Sequence, residues 1–106
     1  MNAPPILTSV RAALMLLQAA LACEIPMPDQ IEHLMLGQGE AQLAIYVANL
    51  DHLATWSTWL EEPIKVADQV MASGRVHCSV DGVMFDHPIR VICMFAPIEE
   101  VAEVSA

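Results

Sequence analysis

The residues able to do covalent or metal chemistry are few and scattered: Cys23, Cys78 and Cys93, with His33, His52, His77 and His87. A structural zinc site draws Cys and His from short paired spacings, and none occurs here. His77 and Cys78 are adjacent, so on a strand they point to opposite faces and cannot readily share a metal. The arrangement with most potential has Cys78 and Cys93 meeting across a hairpin with His87 nearby, which would make a metal- or small-molecule-binding domain. The same two thiols beside His33 or His87 would form a nucleophile–base pair. Nothing in the flanking residues marks an activating environment for either. The expectation is therefore no catalytic residue, no cofactor and no metal. Three thiols form no disulfide framework and are expected to be reduced in a cytoplasmic protein, where free Cys packs as a small hydrophobe.

Other motifs are equally silent. Gly37-Gln38-Gly39 lacks the third glycine and following helix of a dinucleotide loop and reads as a hairpin turn. No Gly-x-Ser-x-Gly elbow is present. Glu61-Glu62 and Glu99-Glu100 sit at element ends, where neighbouring carboxylates are solvated.

Charge narrows the partners. Four Lys and Arg stand against thirteen Asp and Glu, a net charge of -9. Phosphate backbones and anionic membrane surfaces need clustered bases, so direct nucleic-acid and membrane binding are not expected. An acidic decoy imitating DNA would need carboxylates at phosphate-like spacing, whereas the excess here is spread along both halves of the chain.

The elements that must position these residues can be read in order. Ile6 to Cys23 has helical periodicity. Leu7, Val10, Leu14, Leu17 and Leu21 make one face, and Ala12, Met15/Leu16, Ala19 and Cys23 make a second apolar row. Only Arg11 and Gln18 are polar between Val10 and Cys23. The run before Cys23 has the length of a lipoprotein signal, but Gln18 interrupts it and Ala20 stands where such signals prefer Leu. It is also too short to span a bilayer. Pro26 and Pro28 stop the helix.

Gln30 to Leu36 and Ala41 to Ala48 read as a hairpin, the second strand with Leu43, Ile45 and Val47 alternating inward. Asn49 caps a helix over 50–60 with Leu50, Leu53, Trp56 and Leu60 on its apolar stripe. Ile64 to Met71 is a third strand. Arg75 to Val80 is a fourth, turning at Asp81-Gly82 into a return strand from Val83 in which Pro88 breaks the ladder or lies on an edge. Ile89 to Phe95 is apolar on both faces. The acidic residues after Pro97 are expected to fray, as are residues 1–4.

The spacing predicts one α+β domain over 1–106 in the order α-β-β-α-β-β-β. Its architecture is two-layered, a mostly antiparallel sheet with two helices on one face. Leu14, Leu17, Ile45, Val47, Leu53 and Trp56 are the expected core.

The layout resembles a loose set of small uncharacterised proteins of actinobacteria, their phages and their integrative elements. The resemblance rests on the helix from Arg11 to Leu21, the Pro26-Met27-Pro28 break and the strand Gln42 to Val47. Leu50-Asp51-x-Leu53-x-x-Trp56 and Val80-Asp81-Gly82-Val83 complete it. It covers most of the chain with generic motifs. It implies a cytoplasmic setting and linkage to a mobile element, and no catalytic residues.

Hydrophobic residues are 56% of the chain and charged residues 16%, more apolar surface than a small two-layer domain can cover. Exposed apolar patches mark interfaces, and two-fold dimers are their commonest cover. The expected function is thus a non-catalytic, homodimeric protein-interaction module, its interface drawn from Met15, Ala19, Ala22, Ile92 and Met94 with Trp59 at the rim.

Overall fold

Asn49 shows how local chemistry sets the first boundaries. Its backbone is extended and its Oδ1 accepts the His52 amide at 2.9 Å, starting α2 (Leu50–Leu60). Asp51 in the first turn favours the positive end of the helix dipole. The helix ends where Glu61 turns left-handed and the Glu61 and Glu62 amides bond back to Thr58 and Ser57. The same device ends α1 (Pro5–Ala22): Glu24 has a φ of 58° and the Ile25 amide reaches the Ala20 carbonyl at 2.9 Å.

The computed structural model describes residues 5–35 and 41–105, so the expected Gly37-Gln38-Gly39 turn lies outside the described residues. The remaining elements are β1 (Gln30–Met35), β2 (Ala41–Tyr46), β3 (Lys65–Val70), β4 (Arg75–Met84), β5 (His87–Pro97) and α3 (Ile98–Ser105). Among the described residues the strands form one sheet, ordered β1-β2-β5-β4-β3. Every pairing is antiparallel except β2 with β5, which run parallel. The expected α+β class, the element order α-β-β-α-β-β-β and the mostly antiparallel sheet are observed, with α3 as an added helix.

One face of this sheet carries the core. Leu43 and Ile45 of β2, Ile89, Val91 and Cys93 of β5, and Val76, Cys78 and Val80 of β4 pack with Leu50, Leu53 and Trp56 of α2, Ala12, Leu16 and Ala20 of α1, and Val101 of α3. The Trp56 indole donates to the Pro26 carbonyl at 2.9 Å, which ties α2 to the connection leaving α1. The opposite face carries Glu32, Tyr46, Asp81 and Arg90.

Several expectations need correction. First, α1 is rotated from the expected facing. Leu16 is 1% exposed while Leu14 is 60% and Leu21 is 70% exposed, and Leu17 is half-buried. The row meeting the sheet is Ser9, Ala12, Leu16 and Ala20, because small side chains let the helix backbone come close.

Second, Asp81-Gly82 is not a turn. The β4–β5 hairpin closes at Phe85-Asp86, both at positive φ, a mirror-type turn whose twist suits antiparallel strands. Asp81 is held in the ladder by Arg90 at 2.6 Å and Lys65 at 2.9 Å. Gly82 lies within van der Waals reach of Leu60, so the end of α2 packs over the strand there. Pro88 lies inside a central strand, neither breaking the ladder nor at an edge. It faces Val83 next to the closing Met84–His87 pair, and β2 begins to pair only at Ile89, so no partner needs its missing amide.

Third, the chain after Pro97 is helical. Glu99 and Glu100 occupy the first turn of α3, where carboxylates are favoured, and Val101 is buried.

Truncating Leu16 to Ala should cost about 2–5 kcal/mol, whereas Leu14→Ala should stay within about 0.5 kcal/mol. Urea unfolding at the lowest workable protein concentration, where self-association does not enter, checks this; equal losses would mean that the facing of α1 is wrong.

Candidate functional site

The cysteines come together without a base. Cys78 and Cys93 are direct partners in the β4–β5 ladder and both are buried, while Cys23 is exposed. Burial pushes both buried thiols up, and each pair member's surroundings hold it protonated, the reverse of an activated nucleophile. His87 faces Met84, six residues along β5 from Cys93, or about 20 Å at strand rise. The Cys78/Cys93/His87 cluster is therefore not assembled, and among the described residues no group of three or more His, Cys, Asp or Glu could hold a metal.

Two of the four histidines instead converge on a residue that sequence reasoning passed over. Ser9 of α1 lies 3.1 Å from His87 Nε2 and 2.7 Å from His33 Nδ1. One hydroxyl serves both rings, donating its proton to one nitrogen and accepting an N–H from the other. His33 also places Nε2 3.1 Å from the Met35 sulfur. Hydroxyl and imidazole make a nucleophile–base pair in many hydrolases, but here Ser9 is 1% and His87 5% exposed, so no substrate reaches them. The cluster pins α1 to β1 and to the start of β5. Burial, reinforced by His33 nearby, lowers the His87 pKa below the usual imidazole range. No local motif could have revealed it, since its three residues come from distant segments.

What the structure leaves open to partners is the outer side of α1. Val10, Leu14 and Leu21 are exposed and Leu17 is half-buried. Their steps of four, three and four match the seam of a two-stranded helical coil. Met15 and Ala22 are exposed beside this seam, Ala19 is half-buried, and Arg11 and Gln18 are its exposed polar neighbours. All thirteen acidic residues lie outside α1. Of the other expected interface residues, Ile92 is only 6% exposed and lies between Tyr46 of β2 and Ser79 of β4 on the sheet face opposite the core. Met94 is exposed on β5, and Trp59 is half-buried with its ring edge-on to Trp56 at 5.5 Å. No described helix is long and apolar enough to cross a membrane.

No family model, no curated protein and no solved structure matches the chain.

The His87 environment makes stability depend on pH. Its folded pKa is lowered, so the stabilisation is fully present above the unfolded value of about 6.5 and is lost as pH falls from there through the folded value. The drop in Tm between about pH 7.5 and pH 5 should be smaller in His87→Asn than in the parent; an equal drop would assign the effect to other groups.

Proposed function

We propose that this chain is a non-catalytic protein-interaction module that works as a two-fold homodimer through the outer face of α1. The observation that carries the reading is the exposed Val10, Leu14, Leu17 and Leu21 seam. An apolar stripe of that length on a soluble monomer is unusual, and its spacing is self-complementary, since each knob meets a hole made by the same residues of a second copy. Charge supports the same occupant. A chain of net charge -9 repels its copy over most of its surface, but α1 contains one Arg and no carboxylate, so it is the segment where two copies approach without carboxylate repulsion. Met15 and Ala22 border this contact, whereas the Ile92 and Met94 face is no part of it.

The three free cysteines suit a reducing cytoplasm, and linkage to a mobile element is the setting the resemblance implies.

Sedimentation at micromolar concentration should give about twice the 11.6 kDa chain mass. Leu14→Glu combined with Leu21→Glu should return a folded monomer, since both side chains are exposed and outside the core. A parent protein that sediments as a monomer would overturn the dimer.

A further inference from the structure

The uncovered face of the sheet contains a groove that the α1 surface does not explain. β2 ends at Tyr46 and turns away toward α2, whereas β5 runs on to Pro97. Beyond the Tyr46–Ile92 pair, β5 therefore has β4 on one side and no strand on the other. A bulge sharpens the edge: between the Cys78–Cys93 and Val76–Ala96 pairs, β4 supplies His77 alone while β5 supplies Met94 and Phe95. Both of these side chains are exposed. The resulting depression has a volume of about 480 Å³ and is lined by residues that include Asp29, Glu32, Tyr46, Ile92, Met94 and Phe95, a size within the range of ordinary ligand sites.

Its chemistry is one-sided. Glu32 is held in place because Gln30 Nε2 donates to Oε1 at 2.6 Å and the Tyr46 hydroxyl donates to Oε2 at 3.1 Å. Burial, and then the Glu32 carboxylate, raise the Tyr46 pKa, so the hydroxyl stays a donor. Each Glu32 oxygen retains a lone pair for a further donor, and exposed Asp29 lines the same depression. Among the described residues no Lys or Arg ion-pairs with either carboxylate. Of the chain's four Lys and Arg, Lys65 and Arg90 are engaged by Asp81 and Arg75 donates to the Phe95 carbonyl. The fourth, Arg11, is on α1 in the helical layer. The groove thus combines fixed negative charge with a thioether and an aromatic ring, surfaces that take the stem and face of a guanidinium or ammonium side chain.

We infer that this groove binds a short segment of a partner protein in which Arg or Lys stands beside an apolar residue, the cation meeting Glu32 and Asp29 and the apolar side chain lying on Met94 and Phe95. The inference rests on the interaction-module reading and names the partner's chemistry, but it does not require the α1 dimer, which uses the other layer.

The test is an amide-shift titration of the isotope-labelled full chain with the capped pentapeptide Gly-Arg-Leu-Arg-Gly. Shifts should cluster at Glu32, Tyr46, Met94 and Phe95, weaken with added salt, and vanish when both peptide arginines are glutamine. Glu32→Gln keeps an acceptor for Tyr46 and should weaken binding about five-fold; Met94→Ala, at an exposed site, should weaken it while leaving the fold intact. Shifts centred elsewhere, or indifference to both substitutions, would overturn the groove. Equal saturation by butylammonium chloride alone would make it a small-amine site and overturn the peptide proposal. Sedimentation of the same sample separates the two readings, because a dimer that ignores the peptide sinks only the groove and a monomer that binds it sinks only the dimer.

Discussion

α1 meets the sheet through Ser9, Ala12, Leu16 and Ala20, and the close approach this requires constrains much of what surrounds it. A row of leucines would hold the helix farther off, beyond the reach of a Ser9 hydroxyl to His33 and His87. With small residues inward, the two imidazoles can share that hydroxyl, and the larger side chains at Val10, Leu14 and Leu21 are left facing water. The polar cluster and the apolar seam are two results of one packing choice.

That choice marks the limit of what the residues disclose. The helix itself was legible from its periodicity, as were α2 from Asn49 and its Leu50, Leu53 and Trp56 stripe, and β2 from its alternation. The facing of α1 was not, because counting hydrophobicity favours Leu14 and Leu21 over Ala12 and Ala20, whereas interhelix and helix–sheet distance favours the reverse. Asp81-Gly82 misled for a similar reason: its turn propensity is local, while the Lys65 and Arg90 contacts that keep Asp81 in the ladder come from two other strands. α3 was hidden by its acidic residues, which resemble a solvated tail until Val101 is seen against the core. Of the candidate sites, the Cys78–Cys93 pairing was foreseen as a meeting across a hairpin. The Ser9 cluster and the groove were not, since each assembles from segments with no shared local signal.

The two sides of the molecule are chemically distinct. The helical layer presents a nearly uncharged stripe, and the open sheet presents carboxylates and a bulged apolar edge. A copy joined through the first leaves the second free, so a dimer would display two grooves at once. Such an arrangement gains strength on a partner carrying two suitable segments without any new contact being formed.

The parallel pairing of β2 with β5 has a kinetic consequence. β1 with β2, and β4 with β5, are joined by short connections and can assemble locally, but Leu43–Tyr46 must find Ile89–Ile92, nearly half the chain away. Closing so large a loop is slow relative to forming a hairpin. Until it closes, β5 is a half-paired apolar strand with its β2 edge bare. A nascent chain leaving the ribosome holds the matching edge of β2 open longest, because β2 is made well before β5, and during that interval β2 is most prone to pair with a neighbouring chain.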